Sequence, residues 1–265
     1  MADRAEQFRE AFQNLQLQPL LTKEDRDRFR VPYGAETLDE WFLMLEDCTP
    51  ANNQFIVAGH RGCGKSTLLA EFAEQIEGEY FTVFFSIADL VERYSIDHIT
   101  ILFTIGIQLL EKAVENDLAI EQKIEQKFKD WFKDRVTIEE TSVAMEGKVG
   151  ANFFGWIKGE VKSNSQVQEQ IKTTFTRNPQ DLIETINNLA REITVKAKRP
   201  IVMIIDDLDK LDLDQVKQIF YQNLKLLLEP YFTVIYTIPI ATIRDADLKT
   251  YIESETNNSI RVVPV

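Results

Sequence analysis

The chain has 265 residues, and its 43 acidic against 30 basic side chains leave a formal charge of −13. Such a surface repels phosphate backbones at long range and argues against nonspecific nucleic-acid binding by the whole protein. Two cysteines, Cys48 and Cys63, argue against a disulfide framework and for a reducing compartment.

The length suits one large α/β domain or a domain carrying an insertion. The N-terminal MADRAEQFREAF is charged and helical in pattern rather than a signal peptide, so a cytoplasmic location is expected. The most apolar window, ITILFTIGIQLL at 99–110, falls short of the roughly 20 residues that span a bilayer and reads as a buried helix.

Residues 5–17 and 35–47 carry apolar side chains at three and four spacing and are expected to be helices, joined by an extended RFRVPYG. QFIVAGH at 54–60 reads as a buried strand and KSTLLAEFAEQI as the helix behind it. EYFTVFFSIADL at 79–90 reads as a second strand, with helical material to about residue 116. The third strand is PIVMIIDDLD, after the helix PQDLIETINNLAREITVKAK. The fourth is YFTVIYTIP, after the helix DLDQVKQIFYQNLKLLLE, and SIRVVPV is a fifth. Near-continuous apolar strands alternating with helices predict a three-layer, doubly wound parallel sheet.

The rhythm breaks at about 117–175. IEQKIEQKFKDWFKDR is an amphipathic helix with Ile120, Ile124, Phe128 and Trp131 on one stripe. The following VTIEETSVAMEGKVGANFFGWIKGEVKSNSQ has four glycines and no clear period, so it is expected to be an inserted hairpin or mobile loop. A bland connector is the default for it. The alternative is that GANFFGWIKG forms an exposed apolar tip for a partner or membrane surface.

The pattern G-x-x-x-x-G-K-[ST] is met by Gly59, Gly64, Lys65 and Ser66, after an expected strand and opening an expected helix. Gly59, Gly62 and Gly64 let successive N–H groups turn inward around an anion at a helix N-terminus. Lys65 supplies a point charge to β and γ phosphates, the Ser66 hydroxyl suits Mg²⁺, and Thr67 suits the α-phosphate. The remaining loop residues, His60, Arg61 and Cys63, contribute backbone, with solvent-facing side chains expected at His60 and Cys63. The histidines and cysteines offer no metal-ligand spacing.

IVMIIDDLDKL at 201–211 runs five apolar residues into paired acids at the C-terminal edge of a strand, where ligands sit in open α/β sheets. Asp206 is expected to serve Mg²⁺, directly or through water, and Asp207 to polarise the attacking water. Asp209, Asp212 and Asp214 read as a turn-and-cap run, with Asp212 or Asp214 capping the next helix. Thr237 stands either as a γ-phosphate or water contact, or as a threonine satisfied within the sheet.

The loop GHRGCGKS, the strand IVMIIDD and the later FTVIYTIP resemble Walker A, Walker B and sensor 1 of P-loop ATPases of the AAA+ and STAND type. DDLDKL resembles the STAND and KAP branches, where Asp-Asp replaces the Asp-Glu usual in AAA+ enzymes. FRVPYGAETLDEWFLML is similar to the segment lining the adenine pocket in these families, which would place Val31 and Tyr33 near the base. The resemblance covers about 30–265 except 117–175. It implies a sheet order of 5-1-4-3-2 and an ATPase domain at 31–265 behind an N-terminal helical segment at 1–30.

The resemblance implies ATP and Mg²⁺ as cofactors, ATP and ADP as ligands, and catalytic roles for Lys65, Asp207 and Thr237. These families carry a helical lid or winged-helix domain after the fifth strand. The sequence stops at VVPV, so slow or negligible hydrolysis by the chain alone is expected. Arg244 is a candidate arginine finger, with a solvated helix residue the preferred reading. Relatives of the STAND type act as nucleotide-dependent regulatory or signalling switches, and the acidic surface suits protein partners or self-association. The alternatives are an AAA+ nucleic-acid loader or replication initiator, a KAP-like NTPase touching the membrane through 117–175, and a binding-only module. A guanine-reading Asn-Lys-x-Asp segment is missing from the sequence, which favours ATP over GTP.

Overall fold

In the computed structural model, residues 19–31, 33–49, 53–133, 151–257 and 259–263 are described, together with isolated positions nearer the N-terminus. The expected helix at 5–17 and the tract 134–150 lie outside the described residues. Five strands form one sheet: β1 (Gln54–Gly59), β2 (Phe81–Ser86), β3 (Ile201–Asp206), β4 (Thr233–Pro239) and β5 (Ile260–Val263). Their order is β2-β3-β4-β1-β5, with every pairing parallel. This is the expected 5-1-4-3-2 arrangement of an α/β P-loop fold. Sheet order crosses over between β1 and β3, leaving β4 between the two strands that carry the glycine loop and the paired aspartates.

Successive side chains on a strand face opposite ways, and the two cores divide along that alternation. Phe55 and Val57 of β1, Val202 and Ile204 of β3, and Ile235 of β4 pack on one side. Helices α1 (Lys23–Phe29), α2 (Ala35–Glu46) and α3 (Lys65–Ile76) precede or follow β1, and α2 and α3 cover this face. Trp41 and Phe72, both fully buried, meet edge-on with ring centroids 5.6 Å apart. Ile56 and Ala58, Met203 and Ile205, and Val234, Tyr236 and Ile238 face the other core.

The second layer is built from α4 (His98–Glu115), α5 (Gln122–Lys133), α6 (Ala151–Ser163), α7 (Ser165–Arg177) and α8 (Pro179–Ala197). Helix α4 opens on a capping box: the Thr100 N–H donates to Asp97 Oδ1 and the Asp97 N–H donates to Thr100 Oγ1, each at 2.8 Å. Such reciprocal satisfaction removes two orphan donors. Helix α8 has Pro179 in its first turn and turns out through Lys198 at φ 54°.

Two expectations need correction here. The tract after residue 150 is helical where a hairpin or loop was expected, and residues 153–159 of GANFFGWIKG form no exposed apolar tip. Phe153, Phe154, Ile157 and Val161 of α6 are buried in the main core. Their spacing is helical; Gly155 and Gly159 disguise it, and a Cβ added at either would meet open space. Phe128 of α5 is buried as well, against Gly106 of α4, where a Cβ would come within 3.0 Å of its ring. Among the described residues no helix is long and apolar enough to cross a membrane.

The second correction concerns 212–229, which reads as one helix in sequence but is three pieces. A short α-helix at Leu213–Lys217 runs into a π-helical turn at Gln218–Gln222, and another short helix follows at Leu224–Leu227. The break falls at Asn223, whose side-chain amide donates to the Gln218 carbonyl at 2.8 Å. An Asn that bonds its own backbone competes with the helix ladder.

Candidate nucleotide site

The glycine loop spans the C-terminal end of β1 and the N-terminus of α3. Gly62 and Gly64 have φ of 84° and 86°, a left-handed conformation that costs most residues energy but not glycine. Gly64 is also the N-cap of α3, with no side chain to occupy the first-turn N–H groups, and that turn holds no acid. Those donors and the positive end of the helix dipole are therefore available to an anion. At Gly59 a Cβ would lie 2.9 Å from Cys63 Sγ and 3.1 Å from Lys65 Cδ, so only glycine lets the lysine fold across the loop. His60 and Arg61 are exposed, while Cys63 is half-buried against the loop, a partial departure from the solvent-facing side chain expected there.

Lys65 is buried. Its ammonium donates to the Gly59 carbonyl at 3.0 Å and the His60 carbonyl at 2.9 Å, and pairs with Asp209 Oδ2 at 2.8 Å. Asp209 is thereby drawn into the candidate site as well as being the turn residue its sequence suggests. It lies in a 3₁₀ turn, Leu208–Lys210. Asp206 ends the strand and Asp207 between them is left-handed, so no helical period links 206 to 209, and the sequence carries no spacing signal that would have found Asp209. Asp212 does cap the helix that follows, accepting from the Gln215 N–H at 2.9 Å.

Asp206 ends β3 beside Ser86 of β2. Asp206, Asp207 and Asp209 each bring a carboxylate oxygen within 4.8 Å of the others. Burial, opposed mainly by a hydrogen bond from Ser66, pushes the Asp206 carboxyl up to about 6. Its Oδ1 is buried without a hydrogen-bond partner. A desolvated carboxylate oxygen with nothing to accept from, next to a serine hydroxyl, is a hard-oxygen set that fits Mg²⁺. Ser66 and Asp206 are the residues that would hold it.

Asp207 has φ 71°, a left-handed position an aspartate tolerates better than most side chains. One of its oxygens accepts from Ser86 Oγ at 2.6 Å and the other pairs with Lys210. Thr237 is fully buried in β4. Its hydroxyl accepts from the Leu208 N–H at 3.1 Å and donates to the Ile205 carbonyl at 3.2 Å, so it fastens the 3₁₀ turn to the sheet. Thr237→Val keeps the shape and strands a buried N–H, an expected cost of about 1–2 kcal/mol in chemical denaturation.

The lead-in segment lies along α3. Arg30 pairs with Glu71 and donates to the Tyr33 carbonyl at 2.8 Å. Buried Arg26 pairs with Glu74 and donates to the Leu21 carbonyl at 2.6 Å. The Leu20 N–H donates to Thr67 Oγ1 at 3.1 Å, the hydroxyl expected at an α-phosphate. A cleft of about 1140 Å³ opens between α1, α2 and α3, and Val31 and Tyr33 are among its lining residues. No loop residue from 59 to 67 lines this cleft, so its volume alone would misplace the site. What links the two is Tyr33, whose Cε1 lies 3.6 Å from where a Gly64 Cβ would stand. Val31 is exposed on the rim. The structure thus brings Gly59–Thr67, Asp206, Asp207 and Tyr33 into one neighbourhood, adds Asp209, and sets Thr237 behind it.

No curated protein matches the chain. A family model described as an AAA ATPase domain matches residues 38–233, taking in the glycine loop, β3 and the aspartates. The chain therefore belongs to the AAA ATPase domain family, and is a nucleotide-binding P-loop ATPase domain of AAA type.

Proposed function

We propose that this protein binds ATP with Mg²⁺ and hydrolyses it slowly, and that the bound nucleotide biases a conformational or association equilibrium, making the domain a regulatory switch. The observation that carries the reading is the presence, at the same rim of the sheet, of a glycine-cradled ammonium, Lys65, and a buried, partnerless carboxylate oxygen on Asp206, with Asp209 next to both groups. The loop's N–H groups and Lys65 take the phosphates, and Ser66 and Asp206 take the cation. Val31 and Tyr33 face the base from the cleft beside Gly64. When bound, Mg²⁺ neutralises charge on the phosphate oxygens. Asp207 orients and deprotonates water, and Thr237 acts behind it by holding the turn that presents Asp207 and Asp209.

A switch of STAND type fits the acidic surface, which suits a protein partner or a second copy of the chain better than nucleic acid. Calorimetric titration with ATP, ADP and GTP in MgCl₂ tests the reading, with ATP expected to bind and GTP to bind more weakly. Absence of heat with ATP refutes it. In the same preparation Asp207→Asn should keep ATP affinity and slow phosphate release at least about tenfold, since a positioned base contributes at least that much. Unchanged turnover would move the base elsewhere.

A further inference from the structure

Lys65 carries three N–H bonds, and three oxygen acceptors meet them, two loop carbonyls and the Asp209 carboxylate, with Cys63 Sγ a weaker fourth contact at 3.9 Å. Its donor capacity is full. The carbonyls belong to the loop and are fixed by the end of β1, whereas Asp209 comes from a separate turn and is the charged partner. Both members of the pair are nearly inaccessible, at 4% and 8% exposure, so little water screens the attraction. A phosphate oxygen reaching this ammonium must take a place already held.

We infer that Asp209 is a positioning residue that holds Lys65 in the loop and occupies the place of a phosphate oxygen, so that nucleotide binds by displacing it. The inference rests on the nucleotide-site reading and deepens it. The turn itself stays in register, because the Leu208 N–H is tied to Thr237, so displacement swings the Asp209 side chain alone. Once released, it stands with Asp206 and Asp207, whose oxygens lie within 4.8 Å of its own, and three carboxylates then face a polyphosphate. Asp209 therefore sets a threshold for occupancy and sharpens the requirement for a divalent cation. Asp206 is built to hold such a cation; Asp209 is built to be exchanged.

The test compares ATP binding by wild type, Asp209→Asn, Asp209→Ser and Lys65→Ala, each titrated calorimetrically in MgCl₂ and in EDTA, with circular dichroism reporting the fold. Removing the competing charge should tighten ATP binding about tenfold in both Asp209 variants, the scale of one hydrogen bond to a charged group. The gain should be larger in EDTA, narrowing the gap between the two conditions. A purely structural role for Asp209 would not move that ratio. ATP affinity equal to or below wild type in a folded Asp209 variant overturns the inference. If Lys65→Ala binds ATP as tightly as wild type, the failure belongs instead to the nucleotide-site reading.

Discussion

Lys65→Ala is expected to weaken ATP binding a hundredfold or more and to lower the stability of the protein at the same time. The first effect follows from losing charge-assisted bonds to phosphate oxygens, each worth roughly 1.5–3 kcal/mol when the partner is ionised. The second follows from Asp209. Removing one member of a buried pair leaves the other desolvated and uncompensated, a cost on the order of 3 kcal/mol, and Asp209 is 8% exposed with Lys65 its ion-pair partner. Loss of binding in the single variant would thus be confounded with loss of fold. Lys65→Ala combined with Asp209→Asn separates the two, because the neutral amide no longer requires a cation. The double variant should recover most of the lost stability in a urea melt and still fail to bind ATP. Recovery of ATP binding together with stability would mean that Lys65 serves the fold and not the ligand.

The site was half legible in the chain. Gly59, Gly64, Lys65 and Ser66 could be picked out as candidates because a phosphate-binding loop demands fixed residue types at fixed spacing, and the surrounding apolar runs supply the strand and helix that the motif requires. Asp206 could be found because a carboxylate closing a buried strand has few structural uses. Asp209 was missed because DDLDKL carries acids at every position a turn would also use. Only the 3₁₀ geometry of Leu208–Lys210 returns that side chain to the lysine. For Thr237 the sequence left two readings open, and partner assignment across strands was needed to show its hydroxyl spent on Leu208 and Ile205.

The fold was more fully legible in the sheet than around it. Strand alternation sorts β1, β3 and β4 between two cores without ambiguity, since both faces are covered. Strand order came from resemblance, as nothing in the periodicity of a buried strand names its neighbour. Helix α6 was hidden because two glycines on its outer face weaken the pattern that Phe153, Phe154, Ile157 and Val161 make on its inner one. Glycine lowers helix propensity by about 1 kcal/mol, and tertiary burial overrides that cost here.

Asp206→Asn should divide stability from ligand binding in the opposite sense to Lys65→Ala. The Asp206 carboxyl is raised by burial to about 6 from an ordinary 3.8, so the folded state holds its proton more tightly than the unfolded chain does. Between about pH 4 and 6 the folded protein therefore loses stability as pH rises, and above 6 it carries the full cost of a buried charge, on the order of 2–3 kcal/mol. Asparagine keeps the shape and removes that charge. At pH 7.5 the variant should melt roughly 5 °C above wild type, with the gap closing as the pH is lowered toward 4. A gap independent of pH would mean that Asp206 does not titrate in this window. The same substitution removes the anionic oxygen proposed for Mg²⁺. The preference of wild type for ATP in MgCl₂ over ATP in EDTA should therefore collapse in the variant, while ATP binding in EDTA persists or improves because a like charge has gone. A carboxylate that destabilises its own fold is explained if it is kept for a cation, and a variant that gains stability yet retains full Mg²⁺ dependence would leave Asp206 without that explanation.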